Sequence, residues 1–136
     1  MSVPPLTVDL EWQGELRFSA RAGDASFVLD SKASAGPTPV QALAAGLAGC
    51  MAIDVVNILT RGRQAPKAMR ARLVAQRAQE DPKRILAVDL RFEIVGSVEP
   101  AKVERAIDLS REKYCSAWHS LRQDIEFRIG FELVQS

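Results

Sequence analysis

Two residues in this chain carry a sulfur able to attack a peroxide, a disulfide or another electrophile as a thiolate: Cys50 and Cys115. Cys50 lies in AAGLAGCMAID, an apolar stretch rich in small residues. By residue type alone it reads as a buried structural thiol, because free cysteine is among the most buried residue types. A reactive thiol is the sharper alternative. Gly46 and Gly49 sit just before it. Each glycine inside a helix costs about 1 kcal/mol relative to alanine, so the pattern predicts that a backbone or a ligand comes close there. Cys115 is placed differently, at a helix break just before Ser116, a predicted N-cap. There the helix dipole favours a thiolate. His119, four residues on, would share its helical face, and a Cys–His pair is one way to activate sulfur. With two cysteines and one histidine, and no C-x-x-C or H-x-x-x-H spacing, no metal site is expected. The chain carries no Walker-type loop, dinucleotide fingerprint or nucleophile elbow, so no cofactor is expected either.

The elements that must hold these residues follow from periodicity. VDLEW and GELRFSA alternate about Gln13-Gly14 as a hairpin, and SFVLD reads as a third strand after Ala22-Gly23-Asp24. Thr38 and Pro39 form a helix start, and the helix should run to Leu59 and fray over residues 60–63. Its twenty residues from Val40 to Leu59 contain no Lys, Arg or Glu. Gln41, Asp54 and Asn57 make a membrane span expensive, so the segment reads as a buried central helix, apolar on nearly every side, of which a single domain can cover only part. Residues 69–79 and 85–95 alternate as two long strands joined by a turn at Glu80-Asp81-Pro82-Lys83. Glu99-Pro100 opens a second helix, Ser116 caps a third one through Arg122, and residues 125–134 close as a strand. The order βββ-α-ββ-α-α-β predicts one α+β domain over residues 1–136, with antiparallel sheets because most strand links are short. Trp12 and Trp118 are expected in the core.

Composition narrows the function classes. The net charge is +1, with 18 basic and 17 acidic residues, so no field draws the chain toward nucleic acid or acidic membranes. The basic stretch Arg61, Arg63, Lys67, Arg70, Arg72 reads as a solvated helix end and an exposed strand face. The first residues lack the charged and apolar regions of a signal peptide, which leads to the expectation of a cytoplasmic protein with reduced thiols.

The string GPTPVQALAAGLAGCMAIDVVNIL, with SREKYCSAWHSLR placing its cysteine 65 residues after Cys50, resembles the osmotically inducible protein C / organic hydroperoxide resistance (OsmC/Ohr) family. The similarity covers nearly the whole chain, including the Trp12-x-Gly start, and the Asp54-Val55-Val56 and Lys113-Tyr114-Cys115-Ser116 details fit the OsmC-like branch. The resemblance implies an OsmC-like fold, an intertwined homodimer with interfacial sites, and a thiol peroxidase that reduces organic hydroperoxides. Cys50 then matches the peroxidatic cysteine and Cys115 the resolving one, with a dithiol, lipoyl by family analogy, as reductant. Arg17 is the nearest match to the family's catalytic arginine, and Arg21 is second. The chain departs from the family at Val40 and Gln41, where a glutamate that pairs with the arginine usually stands, and at Trp118, the last place of the second cysteine block. Asp54, one helical turn after Cys50, would oppose a thiolate if it faced the sulfur. The reading from another class is a non-catalytic OsmC-like protein that binds an apolar ligand at the dimer interface.

Overall fold

Alternation near the start of the chain builds a three-stranded antiparallel sheet of β1 (Asp9–Gly14), β2 (Arg17–Ala22) and β3 (Ala25–Asp30), in that spatial order. In the computed structural model, which describes residues 3–135, this sheet belongs to a first compact unit ending at Leu43, and a second unit begins at Ala44. The first hairpin turns two residues later than expected, at Glu15-Leu16 rather than Gln13-Gly14. Gly14 and Glu15 both take positive φ, 104° and 50°, and the ladder slips between Trp12 and Gly14. The Trp12 indole N–H donates to the Glu15 carbonyl at 2.9 Å. Tied to the turn in this way, Trp12 is 64% exposed rather than part of a core. The link from β3 to the first helix crosses β3 closely at Gly36, where a Cβ would run into the Val28 backbone.

The helix α1 (Pro39–Arg61) starts on a reciprocal cap. Thr38 Oγ1 accepts from the Gln41 N–H at 3.1 Å, and the Gln41 side chain accepts from the Thr38 N–H at 2.9 Å. This capping box satisfies two amides that a helix start otherwise leaves open. Pro39 takes the first helical position, as the sequence predicts.

In the second unit, α1 buries one i, i+4 stripe: Leu47, Met51, Val55 and Leu59, none more than 2% exposed. The stripe shares a core with alternate residues of β5 (Ile85–Val95), namely Val88, Leu90, Phe92 and Ile94. The rest of the helix is not enclosed within the chain, and Ile53 is 71% exposed. One face is thus covered, as expected of a single domain that can bury only part of a helix apolar on nearly every side. β4 (Ala68–Arg77) pairs antiparallel with β5, and β6 (Glu126–Val134) pairs with β5 in parallel, giving the order β4-β5-β6. The antiparallel expectation fails for β6. Short links force antiparallel neighbours, but residues 96–125 run through helices and give the length a parallel crossover requires. That crossover contains α2 (Pro100–Leu109), a π-helical turn (Ser110–Tyr114) and the short α3 (Ser116–His119). α3 stops at His119 rather than Arg122, and its cap is Cys115, not Ser116.

Candidate functional site

α1 carries Cys50 between the buried Leu47 and Met51, so its thiol is half-buried and packs against the core edge. A Cβ built at Gly46 or Gly49 would meet nothing within 4 Å among the described residues. The close approach expected at these glycines is thus not made within the chain, and the space beside Cys50 is open. Asp54 follows one turn later, also half-buried.

The crossover brings the second sulfur to the same place. The α2 helix widens into the π turn, whose last bond runs from the Cys115 N–H to the Ser110 carbonyl at 2.7 Å. Cys115 then caps α3, its Sγ accepting from the Trp118 N–H at 3.4 Å. Trp118 seals the site from behind against Phe127, with ring centroids 4.6 Å apart. Cys115 has no exposed surface, and both cysteines are free thiols.

The two sulfurs lie within side-chain hydrogen-bonding reach of each other. Burial pushes the Cys115 thiol up to about 11, the Trp118 N–H pulls against this, and Cys50 and then Asp54 add to the rise. The pair therefore divides its roles: one sulfur is reachable from outside, and the other is held protonated behind it. The dipole argument from sequence expected the opposite for Cys115. It is overturned because α3 is a single turn and Cys115 is fully buried. His119 does not activate Cys115 either. Its ring Nε2 lies 3.0 Å from the Arg111 carbonyl, to which it donates.

Asp54 is not aimed freely at sulfur. One oxygen accepts from the Ser110 hydroxyl at 2.8 Å, and Ser110 is completely buried. A cleft of about 360 Å³ opens beside this pair, lined by Asp54, Asn57, Ile58, Arg61, Leu109 and Tyr114. Among the described residues, no three His, Cys, Asp or Glu side chains converge as metal ligands.

Arg17 stands in the first unit, at the start of β2 directly across from Asp30. Its Nε donates to Asp30 at 3.2 Å, and its Nη2 lies 4.0 Å from Glu15. Asp30 is 2% exposed and also accepts from the Ala35 and Lys32 backbone N–H groups at 3.0 and 2.9 Å. These amides, more than Arg17, hold its carboxyl down at about 2 against the cost of burial. Arg21, the second arginine considered, spends its Nε on the Gly23 carbonyl at 3.3 Å. Sequence reasoning missed both Asp30 and Ser110. The register of β2 on β3 would have revealed the first, but the π turn that aims Ser110 leaves no periodic signal.

The comparisons with known proteins agree with this architecture. A profile of OsmC-like proteins matches residues 30–130. Protein YhfA of Escherichia coli is 31% identical over 128 residues, covering 92% of this chain and 96% of its own. A hypothetical protein from Aquifex aeolicus superposes with a TM-score of 0.91 at 27% identity, covering 98% of this chain and 99% of that one. An organic hydroperoxide resistance protein, OsmC, from Legionella pneumophila shares the fold at 14% identity and a TM-score of 0.70, over 97% of this chain and 99% of its own. With the profile and the YhfA match spanning most of its length, this chain belongs to the OsmC-like family.

Proposed function

We propose that the protein is a cytoplasmic, thiol-dependent peroxidase that reduces organic hydroperoxides with Cys50 and Cys115. The observation that carries this reading is the pairing of a half-buried sulfur with a fully buried, protonated one. The Cys50 thiolate attacks the distal peroxide oxygen. The O–O bond breaks, the alkoxide takes a proton and leaves as the alcohol, and Cys50 becomes a sulfenic acid. Cys115 then attacks the oxidised sulfur. The S–S bond forms, the S–OH bond breaks, and the hydroxyl leaves as water with the Cys115 proton. An external dithiol, of which lipoyl is one example, supplies two electrons and two protons to restore both thiols by exchange.

Arg17 is the cation this reading assigns to the Cys50 thiolate. Asp30 supports that role, because a carboxylate ionised across the working pH range orients the guanidinium through its Nε. Gln41 closes the helix cap, so Asp30 takes the acidic position the resemblance would otherwise give to a glutamate. The cleft walls of Ile58, Leu109 and Tyr114 suit an alkyl chain. The protein would act as a homodimer, for which the exposed Ile53 and Val56 on α1 and Leu10 and Trp12 on β1 provide apolar surface.

The open space beside Gly46 and Gly49 equally suits an apolar ligand in a non-catalytic binding protein. Incubation with cumene hydroperoxide separates the two. The peroxidase consumes peroxide and forms a Cys50–Cys115 disulfide, whereas a binding protein leaves peroxide and thiols unchanged.

A further inference from the structure

The Asp54–Ser110 pair has no part in the peroxide step, yet it joins the two elements that carry the sulfurs. Asp54 is on α1, one turn from Cys50, and Ser110 opens the π turn that ends at Cys115. Ser110 works with both ends: its hydroxyl donates to Asp54 at 2.8 Å, and its carbonyl accepts the Cys115 N–H at 2.7 Å. A completely buried hydroxyl donating to a half-buried carboxylate is a charge-assisted bond, and it is costly to break from one side.

We propose that the Asp54–Ser110 hydrogen bond is a latch that positions the second cysteine, fixing the Cys115 turn on the Cys50 helix so that Cys115 reaches an oxidised Cys50. Asp54 is a positioning residue here, since it acts on Cys115 through Ser110. The carboxylate charge also adds to the burial that keeps the Cys115 thiol protonated, as the least of the influences on it. Cys50 and Asp54 are the ionisable groups that α1 brings to Cys115. From the crossover, Arg111 lies over the Phe127 ring at 5.3 Å and His119 is bound to the Arg111 carbonyl, so both are engaged elsewhere.

The inference rests on the two-thiol reading above, but the resolving step can be tested without a hydroperoxide. Diamide adds to the Cys50 thiolate, and Cys115 then displaces the hydrazine. Two thiols are oxidised to a disulfide and the azo compound is reduced. Disulfide closure in the full-length protein would be followed from pH 6 to 10. Ser110→Ala and Asp54→Ala remove the latch and are expected to slow closure about tenfold while the first adduct forms at the parent rate. Asp54→Asn keeps an acceptor for Ser110 and removes the charge. It should retain the parent maximal rate, with its pH profile displaced about half to one unit to lower pH. A merely structural role would not move that profile. If the alanine variants fail to fold, the Asp54→Leu/Ser110→Ala double variant, which removes both partners and leaves no polar group unpaired, takes their place, and closure at the parent rate overturns the latch. Parent rates and an undisplaced profile in the variants would overturn the latch even if hydroperoxide is consumed normally. The expected pattern with diamide and no reaction with hydroperoxide would instead uphold the latch and remove the peroxidase.

Discussion

Cys50 and Cys115 meet in one neighbourhood but were brought there by opposite kinds of structure. Cys50 rides on a long regular helix, at the border between a buried stripe and a side left open by Gly46 and Gly49. Cys115 sits where regularity fails, between a π turn and a one-turn helix, closed in by Trp118 and Phe127. A helix fixes its side-chain directions by its own hydrogen bonds, so the half-buried sulfur needs little from its neighbours. The buried one depends on the Trp118 N–H, the Ser110 carbonyl and a sealed aromatic wall. The comparison shows how one chain can give two identical thiols different chemistry: the surroundings set access and protonation, and the residue type sets neither.

Exchanging the sulfurs one at a time is the most severe way to break this comparison. Cys50→Ser is expected to abolish hydroperoxide consumption, a loss of about 1,000-fold or more in a stopped-flow assay. Cys115→Ser should complete one turnover at near the parent rate and then stop, accumulating a sulfenic acid that dimedone traps and excess peroxide over-oxidises. Equal effects from the two variants would mean that the sulfurs are not distinguished.

The wall behind Cys115 is the next target. Trp118 is 5% exposed and packs at a tilt against Phe127, so Trp118→Ala should cost about 3–5 kcal/mol in a urea unfolding curve. It should also expose Cys115 to alkylation in the native state. A loss below about 1 kcal/mol would show that the seal is not part of the core.

Arg17 tests the proposed contribution of the first unit. Arg17→Ala is expected to slow the first oxidation of Cys50 by about 100-fold, the equivalent of about 2.7 kcal/mol, and Asp30→Asn by less, because it loosens the guanidinium without removing it. Parent rates in Arg17→Ala would move the role to Arg21 or away from arginine altogether.

The smallest effects are those of pH on stability. The folded Cys115 thiol, at about 11 against an ordinary 9.0, ionises after its unfolded counterpart. Its contribution is therefore complete below about pH 9 and is lost as pH rises toward 11. Asp30 has the opposite sign. Lowered to about 2 from 3.8, it contributes fully above about pH 4 and less as pH falls through its folded value. In unfolding curves of the reduced protein, Cys115→Ser should flatten the alkaline decline and Asp30→Asn the acid one. Unchanged slopes would contradict both assignments.

How far the sequence alone reaches follows the same division. Period-2 alternation located all six strands, and Thr38-Pro39 located the start of α1 to the residue, because those signals are local. The parallel pairing of β6 was missed because strand direction depends on the length of a distant crossover, not on the strand's own residues. For the site, the two cysteine blocks mark Cys50 on a regular helix and Cys115 at a helix break, but not which sulfur is held protonated. The protonated state of Cys115 comes from burial and from Trp118, and the Ser110 contact comes from a π turn that periodicity does not report. Asp30 stood at the end of a correctly located strand, and only register shows that it faces Arg17.

The central claim is that an oxidant taken up at Cys50 is passed to Cys115. Its most direct test is titration of the fully reduced protein with one equivalent of cumene hydroperoxide, followed by thiol counting and intact and peptide mass spectrometry. The account expects both thiols to vanish together, a mass about 2 Da lower, and a single peptide pair joining Cys50 to Cys115. Two thiols remaining with the peroxide unconsumed, or a mass about 16 Da higher with Cys115 still free, would contradict it.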